Sequence, residues 1–125
     1  MNGPARRILI VEDDRDTADS FALLLKVKGY EVRACYTGKE CLETLDEFRP
    51  EIIVLALAMP KVTGFDLAQQ IRGTAQHKDI PLVALTGYGQ PSDRQQTREA
   101  GFAFHLLKPA TVEQLEEAIL SVVPV

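Results

Sequence analysis

The chain reads as an α/β protein: a five-stranded parallel sheet packed between helical layers. Three observations predict this. Short aliphatic runs alternate with amphipathic stretches five times along 125 residues, the pattern of repeated βα units joined by right-handed crossovers. Three of those runs are nearly continuous apolar segments, as strands covered on both faces require. The stretches between them carry apolar residues at three- and four-residue spacing and are closed by turn residues.

The first strand is assigned to Arg7–Val11. Asp14 then stands as a helix cap, and Ala18, Phe21, Ala22 and Leu25 recur at i, i+3, i+4 and i+7 before Gly29 closes the segment. The second strand is Glu31–Cys35. Thr37-Gly38-Lys39-Glu40 follows as a capping box, with Cys41, Leu45 and Phe48 on one stripe. Ile52–Leu57 forms the third strand, and a helix from Gly64 to Arg72 turns Leu67 and Ile71 inward and stops at Gly73. Pro81–Leu85 is the fourth strand. Pro91 and Gly101 bound the fourth helix, whose segment Ser92–Glu99 holds no large apolar residue. Such a helix gains little from burial and is expected to be the loosest element. Ala103–Leu107 is the fifth strand, and Thr111-Val112-Glu113-Gln114 is a second capping box leading into Leu115, Ile119 and Val122.

A chain of this length forms one domain, residues 1–125 with a core of about 6–122, and buries roughly two-thirds of its unfolded surface. Hydrophobic residues make up 46% and charged residues 26%, which argues for an ordered globule. The net charge of -4 gives no electrostatic reason to bind nucleic acid, and no helix face concentrates Lys and Arg. No apolar run is long enough for membrane insertion, and the N-terminus lacks a signal-peptide core. Cys35 and Cys41 lack metal-site spacing and are expected to be reduced, as in a cytoplasmic protein. No linker or further domain is expected after the fifth helix.

In open parallel sheets, ligands bind at the carboxyl ends of the strands. Strand one ends in Glu12-Asp13-Asp14. Oxygen ligands of this kind suit a hard divalent cation; helix capping accounts for Asp14 but less well for Glu12 and Asp13. Strand four ends in Leu85-Thr86-Gly87, where a hydroxyl serves either a phosphoryl oxygen or its own turn. Strand five ends in Leu107-Lys108-Pro109, where the lysine either reaches solvent or is aimed inward by a cis peptide.

Acids after strand one, Met59-Pro60-Lys61-Val62-Thr63-Gly64 after strand three, Thr86 after strand four and Lys108-Pro109 after strand five together resemble a receiver domain of two-component signalling. The resemblance covers essentially the whole chain. It implies a flavodoxin-like (βα)5 sandwich with strand order 2-1-3-4-5 that takes phosphoryl from a histidine kinase or histidine phosphotransfer domain. It also implies that Glu12, Asp13 and the backbone carbonyl of Ala58 bind Mg2+, that Thr86 and Lys108 contact the phosphoryl group, and that His105 holds the switch position. Homodimer contacts through the fourth helix, fifth strand and fifth helix are implied in the same way. The run Gly101–Pro109 looks like receivers attached to hybrid kinases.

Departures matter as much. Ala56 stands three residues before Met59-Pro60, where such domains carry the phospho-accepting aspartate. Thr63 stands where Asp, Asn or Ser is usual, and Thr97 where a small apolar residue anchors the fourth helix. A methyl group forms no acyl phosphate and ligates no metal, so Mg2+ is expected to bind weakly or not at all. Lys108 is then expected to turn toward Asp13 or Glu12, and loss of one carboxylate relieves repulsion in an acidic pocket. Ala56 is either native to a pseudo-receiver acting through phosphorylation-independent protein contacts or a deliberate replacement of the acceptor. An enzyme or flavin carrier on the same sheet is disfavoured, because Glu12-Asp13-Asp14 would repel phosphate and the chain has no Trp. Neither His77 nor His105 sits with a Ser or Cys nucleophile on a strand turn.

Overall fold

Strands and helices alternate from end to end of the computed structural model, which describes residues 6–59, 61, 63–87 and 91–122. In chain order they are β1 (Arg7–Val11), α1 (Arg15–Val27), β2 (Glu31–Cys35), α2 (Gly38–Phe48), β3 (Ile52–Ala56), α3 (Gly64–Arg72), β4 (Leu82–Thr86), α4 (Pro91–Glu99), β5 (Phe104–Leu107) and α5 (Val112–Val122). The sheet order is β2-β1-β3-β4-β5, with every neighbouring pair parallel.

Burial follows from that order. Every residue of the central strands β3 and β4 is buried, whereas the edge strands β2 and β5 keep exposed positions. Alternate side chains divide between two cores, as a pleated strand requires. Leu9, Val11, Ile53 and Leu55 meet Cys41, Leu45 and Phe48 of α2 and Leu67 and Ile71 of α3. Ile8, Ile10, Ile52 and Val54 meet Ala18, Phe21 and Leu25 of α1 and Leu115 and Ile119 of α5. Each fully buried Leu or Ile contributes about 1.5–3 kcal/mol. No helix among the described residues is long and apolar enough to cross a membrane.

Helix ends are closed by glycine motifs and by side-chain caps of unequal completeness. Gly29 and Gly101 take φ of 105° and 93°, and each closes a paired C-terminal motif. Tyr30 N donates to Leu25 O and Gly29 N to Lys26 O, while Phe102 N donates to Thr97 O and Gly101 N to Arg98 O. Gly73 caps α3 in right-handed conformation and needs no such freedom. Thr111 and Gln114 form the full reciprocal box. The box at Thr37 is half formed: Thr37 Oγ1 accepts from Glu40 N, but Glu40 Oε1 accepts from Tyr36 N instead. Asp14 occupies the cap position of α1 without a side-chain bond to the helix backbone, and its carboxylate accepts from the Thr17 hydroxyl at 2.6 Å.

The bounds of three strands differ from the hydropathy reading, because ladder bonds rather than apolarity set them. β3 stops at Ala56, β4 runs one residue later to include Thr86, and β5 begins at Phe104. Val122 is half-buried, and Ala118 takes the inward place beside Leu115 and Ile119. Among the described side chains of α4, Thr97 is the buried one, at 2% exposed.

Gly64 holds α3 against the end of β3. Its N–H donates to Leu57 O at 2.9 Å, and a Cβ there would lie 2.4 Å from Ala56 O and 2.7 Å from Leu57 Cα. Those obstacles are backbone and cannot swing aside. Gly64→Ala is therefore expected to cost about 2–3 kcal/mol in urea unfolding; a loss below about 0.5 kcal/mol would contradict this packing.

Cys35 and Cys41 are free and buried. Burial, reinforced by the neighbouring Cys35, pushes the Cys41 thiol up to about 12; burial also raises Cys35, against a lowering bond from Thr44. Above the ordinary thiol range only the unfolded chain ionises, so alkali favours unfolding. At pH 8 both thiols of the native protein should resist an aromatic disulfide reagent and react fully in denaturant. Rapid reaction of either in the native state would refute their burial.

Candidate functional site

Parallel pairing brings four strand ends to one edge. Val11 pairs with Leu55, so Glu12 and Ala56 follow side by side. Ala56 pairs with Leu85, and Thr86 pairs with Leu107, after which comes Lys108. The edge therefore reads Glu12 and Asp13, Ala56, Thr86, Lys108, in sheet order. Backbone bonds fix it: Glu12 N donates to Cys35 O at 3.0 Å, Leu57 N to Leu85 O at 3.1 Å, and Lys108 N to Thr86 O at 2.7 Å.

Exposure separates these residues sharply. Glu12 is 1% exposed, Ala56 0% and Thr86 2%, while Asp13 and Ala58 are exposed. A carboxylate excluded from water needs hydrogen bonds and a counter-charge. Glu12 has both. Its Oε2 accepts from Asp14 N at 3.1 Å, and Lys108 Nζ lies 2.5 Å from its Oε1. That Oε1 is buried and, with the ammonium beside it as an ion pair, accepts no hydrogen bond of good geometry among the described residues. Of the two carboxylates within the lysine's expected reach, the structure pairs it with Glu12.

The pair covers an unusual span. β1 and β5 are separated by β3 and β4, a gap of about 14 Å at about 4.8 Å per strand spacing. Lys108 therefore extends across the ends of both central strands. The Lys108-Pro109 peptide is cis, the isomer left open by the sequence.

His105 is half-buried, and its Nδ1 lies 3.1 Å from Thr97 Oγ1. This bond ties β5 to α4, and no sequence pattern links the two residues. Thr63 caps α3, its hydroxyl accepting from Asp66 N at 3.2 Å. A concavity of about 670 Å³ lies away from this edge, lined by Arg7, Asp46, Arg49 and His77 among others. None of the strand-end residues lines it, and their convergent charged groups lie at the carboxyl edge instead.

The response-regulator receiver-domain model matches residues 8–120. This chain belongs to that family. The receiver domain is 37% identical over 109 residues to an uncharacterised 14.6 kDa protein of Leptolyngbya boryana, covering 87% of this chain and 82% of that protein. It is 36% identical over 109 residues to the response regulator MprA of Mycobacterium tuberculosis, covering 87% of this chain but 46% of MprA. The receiver thus spans under half the length of that relative. Among solved structures, the chemotaxis protein CheY4 of Vibrio cholerae superposes with a TM-score of 0.90 at 28% identity, covering 95% of this chain and 99% of that one. The signal receiver domain of a signal transduction histidine kinase from Syntrophus aciditrophicus gives 0.83 at 28% identity, covering 94% and 89%.

The receiver's donors, as arranged, do not fit Mg2+. That ion demands near-octahedral oxygen ligation. Both Glu12 oxygens are engaged, Ala56 offers a methyl, and Asp13 is exposed. Among the described residues no group of three or more His, Cys, Asp or Glu is placed to hold a metal.

The pair is asymmetric, because Glu12 is 1% exposed at its side chain and Lys108 36%. Deleting the lysine strands a buried charge, whereas neutralising the glutamate lets the lysine reach water. Lys108→Met should therefore destabilise the receiver more than Glu12→Gln, by about 1–2 kcal/mol after allowance for solvent screening. Equal losses, or the reverse order, in urea unfolding would show that Glu12 does not depend on Lys108.

Proposed function

We propose that this receiver domain of two-component signalling has lost its phospho-acceptor, with Ala56 in the acceptor position. It engages a histidine kinase or histidine phosphotransfer domain without taking phosphoryl from it. The observation that carries the reading is the register, which puts a buried methyl at the end of β3 between Glu12 and Thr86. Transfer requires an oxygen lone pair to attack phosphorus as the phosphohistidine N–P bond breaks. Alanine has none.

In this reading Glu12, Asp13 and the Ala58 carbonyl keep the metal-binding positions, Thr86 and Lys108 the phosphoryl-contact positions, and His105 the switch position. Mg2+ binds weakly or not at all, because the protein's own ammonium occupies the carboxylate it would need. The protein works in the cytoplasm. Exposed Phe104 and Leu107 on β5 and Leu120 on α5 support homodimer contacts across the α4, β5 and α5 face.

A natural pseudo-receiver, acting as a constitutive interaction module, is supported by the Glu12–Lys108 pair, which supplies the buried carboxylate with a counter-charge without any phosphoryl group. Equal partner affinity for the parent and Ala56→Asp, with or without phosphodonor, would favour it.

Acetyl phosphate with Mg2+ should leave the parent chain unmodified by mass spectrometry and give Ala56→Asp one hydroxylamine-labile phosphoryl group. A labelled parent would overturn the proposal. Failure of folded Ala56→Asp to label would show that residue 56 is not the acceptor position.

A further inference from the structure

We propose that the opposite, amino-terminal edge of the sheet carries a second site, a cleft for a small phosphomonoester of nucleotide size. The proposal is independent of the reading of residue 56. The cleft lies at the other end of the strands and shares no side chain with the phosphoryl-contact positions.

Three segments build it. The start of β1 supplies Arg7, the stop of α2 supplies Arg49 and Pro50, and the loop from α3 to β4 supplies His77 and Ile80. They surround about 670 Å³, within the roughly 300–1,000 Å³ of small-molecule sites. The walls are held in place by the chain itself. Arg72 donates to Lys78 O at 2.8 Å and to Ile80 O at 2.7 Å, which fixes the loop. His77, 7% exposed, is tied to α2 by Asp46 at 2.9 Å. Arg7 Nε donates to Arg49 O at 2.7 Å and joins β1 to the α2 stop.

Arg49 is the observation that turns a cleft into a site. It caps α2 at φ 53° and ψ 63°, a left-handed conformation that glycine adopts at least cost. An arginine there strains the backbone, yet its guanidinium makes no hydrogen bond or ion pair among the described residues. The donors of that planar fork are left for a group outside the chain, and their geometry matches phosphate. Arg7 borders the same space, and its Nη1 stands 3.9 Å from Glu51 Oε1, beyond hydrogen-bond length. Two guanidinium groups thus suit a dianion, while Pro50 and Ile80 offer apolar wall to an organic body.

Charge decides the sign of the ligand. Arg6, Arg7 and Arg49 stand against Asp46 and Glu51, a local surplus of one positive charge in a chain of net charge -4. The C-terminal ends of α2 and α3 turn this way and oppose an anion. That opposition is worth about a factor of two to five in affinity, against roughly tenfold or more for each charge-assisted bond. The arginines prevail.

The test is a nuclear magnetic resonance titration of the isotope-labelled intact chain with AMP, adenosine and inorganic phosphate in low salt. At about pH 7.5 the phosphomonoester is chiefly a dianion. AMP should shift the amides of Arg7, Arg49 and His77 saturably and bind more tightly than inorganic phosphate, and adenosine should leave them in place. Arg49→Gln should weaken AMP about tenfold with the thermal midpoint unchanged, and Arg49→Lys should fall between. Absence of saturable shifts, an equal response to adenosine, or full AMP affinity in folded Arg49→Gln would overturn the proposal. Inorganic phosphate binding as tightly as AMP would overturn it too, since the organic body would then meet no wall. Nothing in the titration requires phosphoryl transfer, so it and the Ala56→Asp assay fail independently.

Discussion

A carboxylate with 1% of its surface exposed must have a positive partner, and the site is organised by how Glu12 obtains one. The nearest backbone supplies only a hydrogen bond, from Asp14 N. The charge comes from the far side of the site, where Lys108 reaches over the ends of β3 and β4. First and last strands are thereby joined at the carboxyl edge, although no backbone ladder connects them. The pair is structural and chemical at once. It keeps Glu12 buried and, in the proposed reading, fills the position a metal would need.

Ala56 fits this arrangement through its size. It is wholly buried, and its carbonyl lies against Gly64, where any side chain would collide with the backbone. The end of β3 is therefore fixed tightly by α3, while its side chain contributes almost nothing to the site. A receiver built this way retains the scaffold, the hydroxyl of Thr86 and the Thr97–His105 tie between α4 and β5. In the proposed reading, what it lacks is a nucleophile at residue 56.

Much of this was legible in the sequence. Apolar runs gave the five strands, since central parallel strands must be apolar on both faces, and β3 and β4 are buried throughout. Helical spacing gave the inward residues of α1 without error: Ala18, Phe21, Ala22 and Leu25. Gly29 and Gly101 announced left-handed helix stops. Boundaries were less legible, because Thr86 and Leu57 are assigned by ladder bonds that hydropathy does not register. At the site, the order of residues was readable but not the partner choice. Glu12 and Asp13 are adjacent acids of similar chemistry, and only the folded turn after β1 decides that one is buried beside Lys108 and the other faces solvent. The Thr97–His105 bond was hidden for a related reason: eight residues separate the pair, across a helix stop that sequence patterns locate but do not orient.

The central claim is that one ammonium serves one buried carboxylate and has no capacity for a second. Its most direct test is the thermal midpoint of the parent and of Ala56→Asp, side by side in metal-free buffer at neutral pH. The account predicts the lower midpoint for Ala56→Asp, because a second buried carboxylate must share Lys108 with Glu12. An Ala56→Asp protein melting at or above the parent would contradict it.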